Sequence, residues 1–162
     1  MANGMIITSE GKNAILRNSF ITNGYLALGN LNDNDTTFTE LEKKKNYNRI
    51  PIKEGSNGIF EDGQILYVSL VNGIMKNVNN SYFPDADDGV TEDSLTETTS
   101  GGWGTINAVG IYRGEKSSSS SEMIYKLVYA GKISTTEITQ GKRVKFPIGS
   151  FQITLNLTEV EG

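Results

Sequence analysis

Carboxylates and aromatic rings carry what reactive or binding chemistry this chain has, because its 162 residues include no histidine and no cysteine. The densest acids are Asp85, Asp87, Asp88, Glu92, Asp93 and Glu97 in DADDGVTEDSLTETTSGG, a run with no basic residue. Calcium takes six to eight oxygens, and a helix-flanked calcium loop places glycine at its sixth position and glutamate at its twelfth. Counted from Asp85, the fifth position is Gly89 and the twelfth is Thr96, so that spacing fails. NLNDNDTTF, with Asp33 and Asp35, also lacks the glycine turn. Two carboxylates flanking a sugar can hydrolyse a glycosidic bond, but these pairs fall in loop segments away from aromatic residues. Without imidazole or thiol, the usual zinc sites, thiol nucleophiles and histidine-dependent triads are unavailable. The sequence therefore predicts no enzymatic activity, no cofactor and no metal.

The aromatic residues suggest a second chemistry, stacking against a pyranose face. The candidates are Trp103, the single tryptophan, and the tyrosines at 47, 67, 82, 112, 125 and 129. Stacking on a sugar requires exposure, whereas strict alternation in MIYKLVYAG puts Tyr125, Leu127 and Tyr129 on one face with Met123. That pattern predicts core. Trp103 opens GWGTINAVGIY, whose period-two pattern of β-branched and aromatic residues marks a buried strand entered from a glycine turn. The expected core set is Trp103, Gly102, Gly104, Tyr112, Tyr125, Leu127 and Tyr129, with Gly102 and Gly104 permitting close backbone approach or unusual dihedral angles.

Charge narrows the partners. Fifteen basic residues against nineteen acidic ones leave a net charge of -4, which argues against nucleic acid, since neutralising phosphates needs a dense positive face. Lys43, Lys44, Lys45 and Arg49 form one local cluster close to Glu40 and Glu42, read as a solvated charged turn. The N-terminal MANGMIITSEGKNAIL lacks the basic-then-apolar order of a secretion signal, and no stretch approaches the ~20 apolar residues of a membrane span. These features predict a soluble chain without membrane insertion. The Asn-x-Ser/Thr matches at Asn34, Asn79 and Asn156 then carry no weight as glycosylation sites and read as loop and strand-edge asparagines.

The elements that must position these residues are mostly strands. Thr8 or Ser9 can cap a short helix from about Glu10 to Asn18, with Glu10 near its positive end. After it, YLALGN, NYNRIPI, QILYVSLVNG with its Asn72-Gly73 turn signal, KNVNNSYFP, the tryptophan strand, MIYKLVYAG, KRVKFP and SFQITLNLTEV read as short strands. Pro51 and Pro147 cannot donate to a ladder and belong at strand edges or beginnings. The reading is one all-β domain over 1–162, a jelly-roll-like β-sandwich with one short N-terminal helix and exposed insertions at 85–102 and 116–121.

GWGTINAVGIY followed by LVYAGKISTTEITQGKRVKFPIGSFQITL resembles the C-terminal half of small tailed-bacteriophage appendage proteins, the phage tail-fibre-like or head-decoration proteins. Their pattern is a G-x-W-G-T strand, an apolar G-I-Y or G-L-Y continuation, a variable hairpin, an Ala-Gly or Gly-Ala turn, and a closing F-x-x-G-x-x-x-I-T-L. TSEGKNAIL, GYLALGN and NYNRIPI are similar to the helix, first core strand and Tyr-x-Arg strand of the N-terminal half, so the resemblance spans about Thr8 to Leu155. The acidic insertion before Trp103 and the serine tract are longer than in the simplest members. The resemblance implies a virion part with a β-sandwich core.

The expectation is a non-enzymatic bacteriophage structural protein, a capsid decoration or head-fibre protein made in the host bacterial cytoplasm and located on the virion. Its expected partners are other capsid or tail proteins and further copies of itself, a trimer being preferred because closed symmetry lets one interface serve every copy. Asp85, Asp87, Asp88, Glu92, Asp93 and Glu97 are the possible interface with a basic neighbour. The alternative is a tail-fibre or baseplate-associated adhesion module that binds a host surface glycan.

Overall fold

The computed structural model describes residues 7–41, 46–55, 61–86, 102–119 and 121–156. The chain begins with α1 (Ser9–Leu16), where the Thr8 hydroxyl accepts the Gly11 N–H at 3.0 Å and Glu10 lies in the first turn. That pairing satisfies one of the helix's orphan donors. The helix does not stop at Asn18; it runs into a π-helical turn, Arg17–Ile21, which buries Ile21 beside Leu16.

Among the described residues ten strands follow: β1 (Gly24–Leu31), β2 (Phe38–Glu40), β3 (Ile50–Glu54), β4 (Leu66–Val71), β5 (Ile74–Asn77), β6 (Ser81–Tyr82), β7 (Gly104–Lys116), β8 (Met123–Ile138), β9 (Lys145–Phe146) and β10 (Gln152–Thr154). Eight of them form a curled mixed sheet in the order β10-β5-β4-β3-β1-β7-β8, with β2 attached to β1, and β6 pairs with β9 separately. The fold is thus mostly β with one short helix. All pairs are antiparallel except β3 with β4. Asn72 and Gly73 turn β4 into β5 with φ of 52° and 77°, the left-handed pair that a type I′ hairpin needs. Pro51 is the second residue of β3, opposite Tyr25.

One face of the sheet closes over a single core. Leu26, Leu28, Ile50, Leu66, Val68, Met75, Ile106 and Ile111 are all buried there. An aromatic line runs through it: Trp103 meets Tyr47 edge-on at 5.4 Å, Tyr47 stacks on Phe83 at 6.2 Å, and Phe83 leads through Phe146 to Phe151. Trp103 is only 2% exposed. Gly102 has a φ of 96°, and a Cβ there would stand 2.2 Å from the Ile138 carbonyl oxygen. That approach, which lets Trp103 N–H bond the same carbonyl at 2.8 Å, is available only to glycine. Gly104 also has a positive φ, 88°, but it is exposed rather than in the core, and a Cβ there would meet nothing within 4 Å.

The expectation that Tyr125, Leu127 and Tyr129 share a core face is overturned. The β7–β8 register pairs Tyr112 with Leu127 but Ile111 with Tyr129, so Val128 is an extra residue in β8. A bulge of one residue reverses the parity of every side chain beyond it. Tyr129 therefore turns to the core side, where it meets Phe20 edge-on at 5.8 Å and is partly buried. Tyr125 and Leu127 stay on the opposite face, 43% and 42% exposed. Tyr112 is corrected likewise: it lies opposite Tyr25 on that outer face and is half-buried outside the core cluster.

Polar groups also hold the core together. Asn79, expected at a loop or strand edge, is fully buried. Its side chain donates to the Glu61 and Ile65 carbonyls and accepts from Tyr67 N–H and the Ser81 hydroxyl. Asn77, also buried, donates to the Asn79, Phe146 and Pro147 carbonyls and accepts Phe151 N–H. It ties β5 to the segment between β9 and β10.

Candidate functional site

The outer face of the sheet is where exposed rings and fixed charges meet. β1 pairs with β7 along one side, but its other side is shared: β3 takes Tyr25 and Leu26, and β2 takes Gly29, Asn30 and Leu31. The two partners diverge at Ala27 and Leu28, leaving a fork. Leu28 N–H donates at 3.0 Å to the Tyr47 hydroxyl, which reaches the fork from the core. Tyr47 in turn donates to Glu40 Oε2 at 2.7 Å. Burial, reinforced by the Glu40 charge and hydrogen bond, raises the Tyr47 pKa far above that of a free phenol, so its hydroxyl remains a donor.

The fork also brings together the end of β2 and the approach to β3. Arg49 grips Glu40 through Nε at 3.0 Å to Oε2 and Nη2 at 2.7 Å to Oε1, a two-pronged geometry that fixes both groups. The hydrogen bond to Glu40 is the main reason the Arg49 pKa is raised. The guanidinium lies 3.8 Å from the Tyr112 ring centre and 5.5 Å from that of Tyr125, within the range of cation–π attraction. Tyr125 meets Tyr25 edge-on at 5.7 Å. Gly114 permits this arrangement, since a Cβ there would already be 3.0 Å from the Tyr125 ring. The result is an open cleft of about 530 Å³ lined by Tyr25, Glu40, Tyr47, Asn48, Arg49 and Tyr125, with Leu41 at its side.

Next to the cleft, β8 is the outermost strand of the sheet among the described residues, sixteen residues long and paired only with β7 there. It exposes Met123, Ile124, Tyr125, Leu127 and Val128 at 38–47%. Edge strands are ordinarily guarded by charges that repel an approaching strand. Here Lys126 reaches Glu115 at 3.5 Å and Lys132 reaches Asp35 at 2.8 Å, both within the same chain. Both lysines stay more than half exposed but are engaged by these acids, and among the described residues no strand pairs with the outer side of β8.

Of the expected interface acids, Asp85 is described and is exposed; it pairs with Arg143 at 2.8 Å. Asp87, Asp88, Glu92, Asp93 and Glu97 lie outside the described residues. Among the described residues no three acids gather as a metal site, and no helix is long and apolar enough to cross a membrane. In the serine tract, Ser117 N–H bonds the Glu122 carbonyl at 3.0 Å, and Ser118 and Ser119 are exposed.

Sequence spacing alone places Glu40 and Arg49 in a solvated turn and does not reveal their pairing. The signal that could have found it was the proximity of Tyr47 and Arg49, alternate residues leading into a strand, to an acid across a short connection. No protein-family model, no curated protein and no solved structure matches the chain.

Proposed function

We propose that this protein is a non-enzymatic structural subunit of a tailed-phage virion, a capsid decoration or head-fibre protein that assembles with further copies of itself through β8. The observation that carries the reading is the outer edge of β8, unpaired among the described residues, with apolar residues exposed along its first half. A long free edge of this composition invites strand addition. The occupant is a second copy. In antiparallel pairing about a two-fold axis through Tyr125, Met123 stands opposite Leu127 and each Tyr125 opposite its own counterpart, so one apolar segment serves both partners. The trimer preferred on sequence grounds would instead set this edge against a different surface of each neighbour.

The non-enzymatic part of the reading rests on a composition without histidine or cysteine. The phage assignment rests on the strand motifs of the two halves. The curled sheet and the β6–β9 pair enclose one core, which supports a β-sandwich description, although the parallel β3–β4 pair departs from jelly-roll order.

Two measurements test the proposal. Antibody labelling of intact particles of the phage that encodes the chain should decorate the capsid; labelling of the tail moves the protein to a fibre or baseplate, and unlabelled particles refute the virion role. Light scattering of the purified chain should show a closed homo-oligomer that Val128→Lys converts to monomer. A parent chain that is monomeric at every concentration overturns β8 as the self-contact.

A further inference from the structure

Tyr125 was set aside as a sugar platform only because alternation placed it in the core, and the Val128 bulge removes that objection. The ring is exposed, yet held against Tyr25 and leaning inward over Gly114, so ligand stacking does not have to immobilise a free side chain. Because it leans away from the outer edge of β8, a strand added at that edge would wall the cleft without filling it.

Next to the ring stand hydrogen-bonding groups in fixed positions. Arg49 gives Nε and Nη2 to Glu40, and no other hydrogen-bond partner for it is found among the described residues. Its guanidinium has five N–H donors, so several remain. Glu40 Oε1 accepts one bond and can take another. A donor and an acceptor thus lie side by side, with the Asn48 side chain also lining the cleft. Two adjacent hydroxyls on a sugar ring need that combination, since each can both donate and accept. The ring's apolar face carries C–H bonds suited to the electron-rich face of a tyrosine. A volume of about 530 Å³ falls within the ~300–1,000 Å³ of small-molecule sites.

We infer that the fork between β2 and β3 binds a neutral pyranose, its C–H face on Tyr125 and two neighbouring hydroxyls on Arg49 and Glu40. Neutrality follows from the ion pair. An acidic sugar would have to compete with Glu40 for a guanidinium already gripped at both prongs, while facing the Glu40 carboxylate itself. A neutral diol adds to the pair without breaking it. The site shares Tyr125 with the proposed assembly contact, while its hydrogen-bonding groups, Arg49 and Glu40, lie outside that contact.

The test is saturation-transfer difference NMR with methyl glycosides of the common neutral hexoses and short neutral oligosaccharides. Trp103 is too deeply buried to report by fluorescence. The expected affinity for a single sugar unit is on the order of 1 mM, with saturation strongest at ring C–H protons. Tyr125→Ala should weaken binding about tenfold or more. Arg49→Lys, which keeps the charge but loses the fork, should weaken it in a chain whose circular dichroism is unchanged. Running the panel on both the parent and the assembly-deficient Val128→Lys variant keeps the sugar result readable whatever the fate of the β8 contact. No binding of any neutral sugar by either chain, binding indifferent to Tyr125→Ala, or binding confined to sialic or uronic acids each overturns the inference.

Discussion

Replacing Asn77 tests whether polar groups hold this core in register. The two N–H donors of the side-chain amide are shared among three carbonyls at 2.9–3.2 Å, and its oxygen accepts Phe151 N–H at 3.0 Å. At about 1 kcal/mol net for each of two donors and one acceptor, Asn77→Ala should cost about 3 kcal/mol, and the orphaned Phe151 N–H keeps the figure from falling much below that. For a domain of this size each kcal/mol lowers Tm by about 2–4 °C, so the midpoint should drop by about 6–12 °C. Asn77→Asp is nearly isosteric and separates hydrogen bonding from packing. It sets an oxygen against three carbonyls, and burial must push the new carboxyl above the ~3.9 of an unfolded aspartate. The folded variant then binds more protons than the unfolded chain, so its deficit relative to the parent should grow as pH rises above about 3.9. Urea titrations of parent and both variants at pH 3.5 and pH 7, compared at equal m-value, provide the measurement. A loss under about 1 kcal/mol for Asn77→Ala, or an Asn77→Asp deficit that does not change with pH, would refute the clamp.

Three further outcomes follow from the same structure. Trp103→Ala should destabilise by ~3–5 kcal/mol, the usual cost of deleting a large core aromatic; unchanged denaturant midpoints would contradict its burial. Gly102→Ala places a Cβ against the Ile138 carbonyl in a left-handed backbone and should cost at least about 1–3 kcal/mol in thermal unfolding. The Arg17 hydrogen bond is the main cause lowering the Glu54 pKa. That stabilisation is present above about pH 4.3 and is lost as pH falls through the lower folded value. Glu54→Gln should abolish this component, worth no more than about 1 kcal/mol at so exposed a pair, as read from stability at pH 2.5 and pH 6.

The sequence was most informative where one residue type has one physical use. Thr8 caps, Asn72-Gly73 turns, and YLALGN is a central strand because each satisfies a local rule. It misled where a local rule was extended past an irregularity. Period-two reasoning across MIYKLVYAG assumed an unbroken ladder, and the Val128 bulge depends on how β8 meets β7, a partner fixed only by the tertiary fold. Glu40 and Arg49 looked like surface charges because their pairing depends on β2 and β3 parting from β1. The asparagines of KNVNNSY carry the composition of a solvated turn, yet two of them are buried and satisfy backbone groups from separate segments of the fold. Of the candidate site, the tyrosines were identifiable as rings but not as exposed ones.

The bulge at Val128 also shapes how this protein can vary over generations. Substitutions along β8 alter one side chain at a time, but removing a single codon there would restore alternation from Met123 to Lys132 and shift that half of the strand against the rest. Either Tyr129 would be carried out of the core or Tyr125 and Leu127 would be carried into it. Such a deletion should be purged in one step, whereas the exposed Tyr125 and Leu127 are free to be exchanged singly without disturbing the buried half. Inherited change in the surface chemistry of this strand is therefore channelled into point replacements at constant length, while changes of length are left to the serine hairpin that precedes it.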